Sequence, residues 1–220
     1  MKNLITAFIA LATSISAFAG VSASVGYRSK DVTFGRISSE QGAYVAAADI
    51  TAGSFRLGTT VQNNLNLKDS SLYQIDLIGG YKFFSTLANV EFGTKYVTKG
   101  HPVKDDKQNH FRPFVEVSKG IFSIRGNMDL ESQTSNIEGA VAKKFVLGKG
   151  FGLTPAFNLG YTDVNDAFPR STKEVKYTNF YYGGSADLSW KLFTVGLYTV
   201  RPNTTKTFST GYRGGLSLKF

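Results

Sequence analysis

The chain has 220 residues, with 25 Lys and Arg against 16 Asp and Glu for a formal net charge of +9, and it contains no Cys. The missing cysteines exclude disulfides, thiolate metal centres and thiol catalysis, and 42% hydrophobic residues exclude a disordered chain. The basic excess admits anionic partners such as nucleic acid, phosphorylated lipid or acidic solutes without choosing among them.

The chain opens on Lys2, an apolar stretch from Leu4 to Phe18, and the small-x-small triplet Ala17-Phe18-Ala19. That order is the order of a secretory signal peptide, so residues 1–19 are expected to be removed and residues 20–220 to form one exported domain. The alternative is a buried N-terminal helix. No later apolar run reaches the roughly 18 residues of a membrane-crossing helix, so a membrane-spanning chain would have to cross as a closed barrel.

From Val21 onward, apolar side chains fall at every second position in segments of about ten residues, the period of a strand with two unlike faces. The segments run 21–28, 43–50, 54–62, 72–83, 86–97, 111–119, 122–130, 136–147, 151–162, 176–190, 193–201 and 207–220, which makes an even number. In the seventh, Phe122, Ile124, Met128 and Leu130 share one face while Ser123, Arg125, Asn127 and Asp129 share the other. Pro155 interrupts the ninth, because proline removes a ladder donor. Brief turns at Thr51-Ala52-Gly53, Phe84-Ser85, Gly120, Gly148-Lys149-Gly150 and Lys191-Leu192 separate longer polar connections that include 29–42, 98–110 and 163–175. Outer-membrane barrels show this asymmetry, with short periplasmic turns and longer outside loops, and it places both chain ends on the periplasmic side.

Alternation alone would also serve a soluble sandwich of two packed sheets, whose apolar faces point inward. Twelve strands closed into one barrel enclose a space too wide for side chains to fill, so the expected fold is an antiparallel transmembrane β-barrel with a polar lumen. An Arg facing lipid at the midplane costs about 2–4 kcal/mol, so the charged parity of each strand is assigned to the lumen. The expected pore-lining set is Arg28, Asp49, Arg56, Asp76 and Lys82, then Glu91, Lys95, Arg112, Glu116 and Arg125, then Asp129, Glu138, Lys144, Asp187 and Arg213. Lys143 breaks the pattern by sharing a face with Val141 and Phe145. Either it snorkels to the interface or a bulge shifts the register there. Outward aromatic residues, among them Tyr27, Tyr44, Tyr81, Phe151, Tyr182 and Trp190, are candidates for interfacial girdles.

The last segment, Tyr212-Arg213-Gly214-Gly215-Leu216-Ser217-Leu218-Lys219-Phe220, resembles the C-terminal strand of bacterial outer-membrane proteins. The resemblance implies that Tyr212, Leu216, Leu218 and Phe220 form the signal read by the barrel assembly machinery, and that the protein resides in a Gram-negative outer membrane. A second likeness runs through Val25-Gly26-Tyr27, Phe34-Gly35-Arg36-Ile37-Ser38, Gln41-Gly42, Gly53-Ser54-Phe55-Arg56-Leu57-Gly58 and Ile75-Asp76-Leu77-Ile78-Gly79-Gly80-Tyr81. These segments, with the stretch from Ile137-Glu138 to Gly160-Tyr161, resemble the TorF-type porin family, which implies a porin-like barrel. The order Phe34-Gly35-Arg36 departs from that family, whose pattern reads Phe-Arg-Gly before Ile-Ser.

Chemistry beyond transport finds little support in the residues. His101 and His110 fall in the expected loop 98–110 with Asp105 and Asp106, where an Asp/His protease site or a metal site is conceivable, but a solvated loop has the same composition. No catalytic residue, metal or cofactor is therefore expected. Gly79-Gly80 and Gly183-Gly184 are assigned to close packing or bulges rather than phosphate binding. Basic side chains such as Lys104, Lys107, Arg170 and Lys173 sit in the outer loops, suited to lipopolysaccharide phosphates or to plain solvation, and no continuous nucleic-acid stripe is present. The expected function is passive diffusion of small hydrophilic solutes with weak anion preference. The alternative is a non-conducting barrel acting through its loops as adhesin, receptor or assembly partner.

Overall fold

The computed structural model describes residues 20–33, 36–39, 42–64, 73–100, 108–166, 175–203 and 207–219. The expected signal peptide, the basic loop residues Lys104, Lys107, Arg170 and Lys173, His101 and Phe220 all lie outside them. Among the described residues every regular element is a strand. In order these are β1 (Gly20–Arg28), β2 (Asp31–Thr33), β3 (Arg36–Ser39), β4 (Ala43–Ala52) and β5 (Phe55–Asn64). There follow β6 (Tyr73–Phe84), β7 (Asn89–Gly100), β8 (Gln108–Lys119), β9 (Phe122–Asp129) and β10 (Thr134–Ala142). The chain then forms β11 (Phe145–Gly148), β12 (Phe151–Asp166), β13 (Val175–Trp190), β14 (Phe193–Pro202) and β15 (Ser209–Lys219).

Around the main wall the strands pair antiparallel in chain order, with β1 beside β4 and β12 beside both β10 and β11, and β15 closes the circle onto β1 from Ser22 opposite Lys219 to Arg28 opposite Arg213. With β10 and β11 counted as two pieces of one staved strand, the barrel has twelve strands and no open edge along its main wall. The short ribbon β2–β3 stands apart, inside the connection read from sequence as the plain loop 29–42. The connections 98–110 and 163–175 are also shorter than expected, because β7 continues to Gly100, β8 starts at Gln108, β12 runs to Asp166 and β13 starts at Val175. Polar residues at strand ends carry no apolar alternation, so the pattern stops before the hydrogen-bonded ladder does.

The break at Lys143-Lys144 lies opposite Pro155, which has no N–H to donate, while the register is unchanged from Ala142 opposite Ala156 to Phe145 opposite Leu153. Of the two explanations, Lys143 snorkels: it keeps the outward parity, and its Nζ sits 5.2 Å from the Phe145 ring centroid. A register shift does occur nearby, but later, between Val146 and Gly148.

Side-chain parity decides between barrel and sandwich. Phe55, Leu57 and Val61 on β5, Phe122 and Ile124 on β9, and Val195 and Leu197 on β14 are all at least 45% exposed. A continuous apolar outer surface of this extent is a lipid-facing surface. Two aromatic belts bound it. At the short-turn end Tyr81 lies 4.9 Å from Phe55 and Trp190 lies 5.7 Å from Phe151, centroid to centroid. At the long-loop end Tyr27 lies 5.6 Å from Tyr44 and 6.0 Å from Tyr212.

The packed core sits inside the barrel. The largest fully buried side chains, Tyr181, Val97, Asn179, Thr162 and Asp129, all have the lumen-facing parity and all lie towards the long-loop end. Long side chains there reach past their neighbouring strands and narrow the lumen, yet a cavity of about 290 Å³ remains among Arg28, Gln62, Gln74 and Tyr181, so the side chains do not fill it. Towards the other end the lumen opens, and Arg213, Ser217 and Lys219 are exposed.

Candidate functional site: the lumen

An inward side chain normally meets its neighbour on the next strand, some 5 Å away. In this barrel several inward groups reach two strands away, and a glycine on the strand between makes room. Tyr181 on β13 crosses Gly160 on β12 to donate its hydroxyl to Glu138 Oε2 at 2.7 Å and lie 3.1 Å from Asn136 Oδ1, both on β10. A Cβ at Gly160 would lie 2.2 Å from the Tyr181 ring. Tyr198 on β14 crosses Gly211 on β15 and bonds the backbone of Lys30, accepting from its N–H at 3.0 Å and donating to its carbonyl at 2.6 Å. Asp187 crosses Gly196 to pair with Arg213, whose Nε is 2.8 Å from Oδ1.

The wall from β4 to β10 is ionic. Arg56 Nε bonds Asp49 Oδ1 at 2.8 Å, and Arg56 Nη1 lies 3.4 Å from Glu91 Oε1 across Gly80. Lys95 Nζ lies 2.6 Å from Asp76, which also accepts from Gln74 Nε2 at 2.8 Å. Arg112 Nε donates to Asp129 at 2.7 Å, and His110 Nδ1 is 3.0 Å from the same carboxylate. Glu116 is 4.0 Å from Arg125, whose guanidinium lies 4.3 Å over the buried Phe114 ring. Arg28, from the opposite wall, lines the same inner space, a cavity of about 290 Å³. Lys82 shares the inward parity of Asp76 and lies opposite Glu91. Lys144 has that parity too, but is exposed beyond the neighbouring β8–β9 hairpin, whose Ile121 carbonyl is met by the Ala142 N–H at 2.9 Å.

Sequence reading missed four contributors. His110 is not a loop residue: it is buried on β8, inward, against Asp129. Phe114, Tyr181 and Tyr198 are inward aromatics, whereas aromatic residues were all sought on the lipid side. Their common signal was parity, since Phe114 shares the phase of Arg112 and Glu116, and Tyr181 that of Asp187. Of the two glycine pairs, Gly183 is a close-packing position, where a Cβ would stand 2.2 Å from Thr199 O. Gly80 and Gly184 are tight, at 3.2 Å from Glu91 Oε1 and 3.3 Å from Ala156 O, whereas a Cβ on Gly79 would meet only Leu57 Cδ2 at 3.8 Å.

His110, Asp129 and Glu131 bring ligand atoms within 4.8 Å of one another. Asp129 already accepts from Arg112 and His110, and Glu131 accepts the Phe111 N–H at 2.6 Å. A metal ion would meet the Arg112 guanidinium, so this trio reads as a hydrogen-bonded strut rather than a metal centre.

A closed antiparallel twelve-stranded wall, apolar outside and ionic within, defines a multi-pass β-barrel of the bacterial outer membrane. Solved structures share that architecture. LpxR from Salmonella typhimurium matches with a TM-score of 0.59 at 9% identity, over 90% of this chain and 100% of that one. The KdgM porin matches at 0.57 and 14% identity, over 90% and 99%, and KdgM in complex with disordered oligogalacturonate at 0.55 and 12%, over 91% and 99%. No protein-family model and no curated protein matches the chain. At these identities the likeness establishes the fold, which LpxR and the KdgM porin share.

Proposed function

We propose that the barrel is a passive channel for small hydrophilic solutes, with a weak preference for anions. The observation that carries this reading is the charge of the inner cavity: Arg28, Lys95, Arg112 and Arg125 line it against only Asp76 and Glu138. Fixed lumen charge acts on permeating ions through a confined, weakly screened space. Two of the similar structures are of the KdgM porin, one with a bound acidic oligosaccharide, which supports a transport role at the level of architecture. Passage of solute needs no catalytic group.

The test is single-channel recording of the refolded mature chain in a planar bilayer under a salt gradient. Discrete steps with an anion-shifted reversal potential are expected, and neutralising Arg28, Arg112 and Arg125 together should move that potential towards cations. An unchanged potential would remove these residues from the conducting path.

One observation favours a second reading, a non-conducting barrel that works through its outer loops. The fully buried lumen side chains at the long-loop end narrow the passage there. A folded, heat-modifiable barrel that never conducts would establish that reading. The same experiment in membranes would show whether assembly depends on Tyr212, Leu216, Leu218 and Phe220, and whether lipopolysaccharide is retained by the basic outer loops.

A further inference from the structure

Strand parity turns the charges of the described wall mostly inward, and Arg201 on β14 is an exception. It follows Phe193, Val195 and Leu197 on the outward face of that strand. At about 3.3 Å per residue, Arg201 stands about 26 Å along the strand from Phe193, whose ring stacks on Trp190 in the aromatic belt at the short-turn end. A strand tilt of about 40° turns that length into about 20 Å along the membrane normal, against an apolar band about 25 Å tall. Arg201 therefore lies where the hydrocarbon of the outer leaflet gives way to its headgroups.

The guanidinium is held there by rings and a hydroxyl. Its Cζ lies 5.9 Å from the Tyr182 ring centroid and 5.6 Å from that of Phe208, and the two rings meet edge to face at 5.6 Å. Arg201 Nη1 donates to the Tyr182 hydroxyl at 2.9 Å, and among the described residues no acidic side chain pairs with it. A guanidinium oriented by aromatic faces and one N–H keeps the rest of its donor edge for an anion, and that edge matches a phosphate through two parallel bonds. Lys143 gives the contrast: an outward ammonium at the short-turn end, 5.2 Å from the Phe145 ring, it has a flexible stem and no fork. Snorkelling alone would need neither the two rings nor the hydroxyl.

We propose that Arg201, seated on Tyr182 and Phe208, forms a binding site on the outer wall of the barrel for the phosphate of an outer-leaflet lipid. The depth selects the occupant, because the anion that a bilayer supplies at the edge of its hydrocarbon is the phosphate next to the acyl chains. Below the guanidinium the outward pairs Thr199–Thr210 and Leu197–Tyr212 continue down the wall, hydroxyls first and exposed apolar surface next. That is the order of polarity along a lipid from its headgroup into its chains. The site is independent of the channel reading and of the basic outer loops, since it needs only the place of the barrel in the membrane.

Native mass spectrometry of the refolded mature barrel in a neutral detergent tests this with two probes of the same acyl chains, phosphatidic acid and diacylglycerol. The wild type is expected to retain phosphatidic acid about fivefold more than diacylglycerol, or better. Arg201→Gln should remove that preference, and Arg201→Lys, which keeps the charge and loses the fork, should reduce it by about half or more. Lys143→Gln, at the other belt, should leave it intact. A wild type without preference, a preference that survives Arg201→Gln, or one lost equally in Lys143→Gln overturns the site. Full retention in Arg201→Lys also overturns it, by reducing Arg201 to a snorkelling charge. Inorganic phosphate in excess should not displace the lipid, and displacement would assign the fork to free anions and overturn the lipid. Should Arg201→Gln fail to give the heat-modifiable folded form, Phe208→Leu, which takes one ring from the guanidinium, should weaken the preference, and an unchanged preference there overturns the site.

Discussion

The barrel has two walls built on different principles. From β4 to β10 the lumen face is held by ion pairs between charged side chains on adjacent or next-adjacent strands. From β12 to β15 it is lined mainly by Gly, Ser, Thr, Asn and Tyr with Ala156, Val164 and Val200, and its ion pair among the described residues is Asp187–Arg213. There the strands are tied by tyrosine hydroxyls that pass over glycines. The lesson is that a wide lumen can be braced by long polar levers, provided the intervening strand carries no Cβ in their path. Charge braces one side and shape the other, and the cationic cavity lies where the ionic wall faces Tyr181 and Arg28.

The sharpest way to break that comparison is to put a Cβ where backbone meets backbone. Gly93→Ala sets a methyl 2.2 Å from the Gly79 carbonyl, so β6 and β7 must part, and loss of the heat-modifiable folded form on refolding is expected. Next comes the ionic wall at its most buried point. Asp129→Asn leaves Arg112 and His110 facing an amide in place of the carboxylate and should lower the unfolding free energy by about 3–5 kcal/mol, read from urea unfolding in lipid vesicles.

On the shape-braced wall, Tyr181→Phe keeps the ring over Gly160 but leaves Glu138 without its hydroxyl donor, while Asn136 Oδ1 still accepts from the Thr162 hydroxyl at 2.7 Å. A loss of about 1–3 kcal/mol is expected in the same measurement. The smallest effect belongs to the ion pair of the opener half. Arg213→Gln removes a partner that is 45% exposed, and water and salt screening should hold the change below about 1 kcal/mol. If Arg213→Gln cost as much as Asp129→Asn, depth in the lumen would not be what separates strong pairs from weak ones.

Much of this is legible in the sequence. Ser123, Arg125, Asn127 and Asp129 could be set on one face of β9 because a strand alternates with a period of two, and an Arg in lipid is too costly to tolerate. His110 was not legible as a lumen residue, since a polar segment beside Asp105 and Asp106 has the composition of a loop. Lys143 was legible as an anomaly, but only the structure chose between its two explanations, since the register is unchanged across it and its Nζ reaches to 5.2 Å from the Phe145 ring centroid.

The sequence by itself determined the strand count, the two faces of each strand and the short and long connections, because these depend on alternation within about ten residues and on turn chemistry. Only the tertiary structure decided which charges pair, that Tyr181 and Tyr198 span three strands over glycine, and that long side chains narrow the outer half of the lumen. Those features join residues as far apart as Lys30 and Tyr198, and their geometry exists only once closure of β15 onto β1 has set the register around the whole ring.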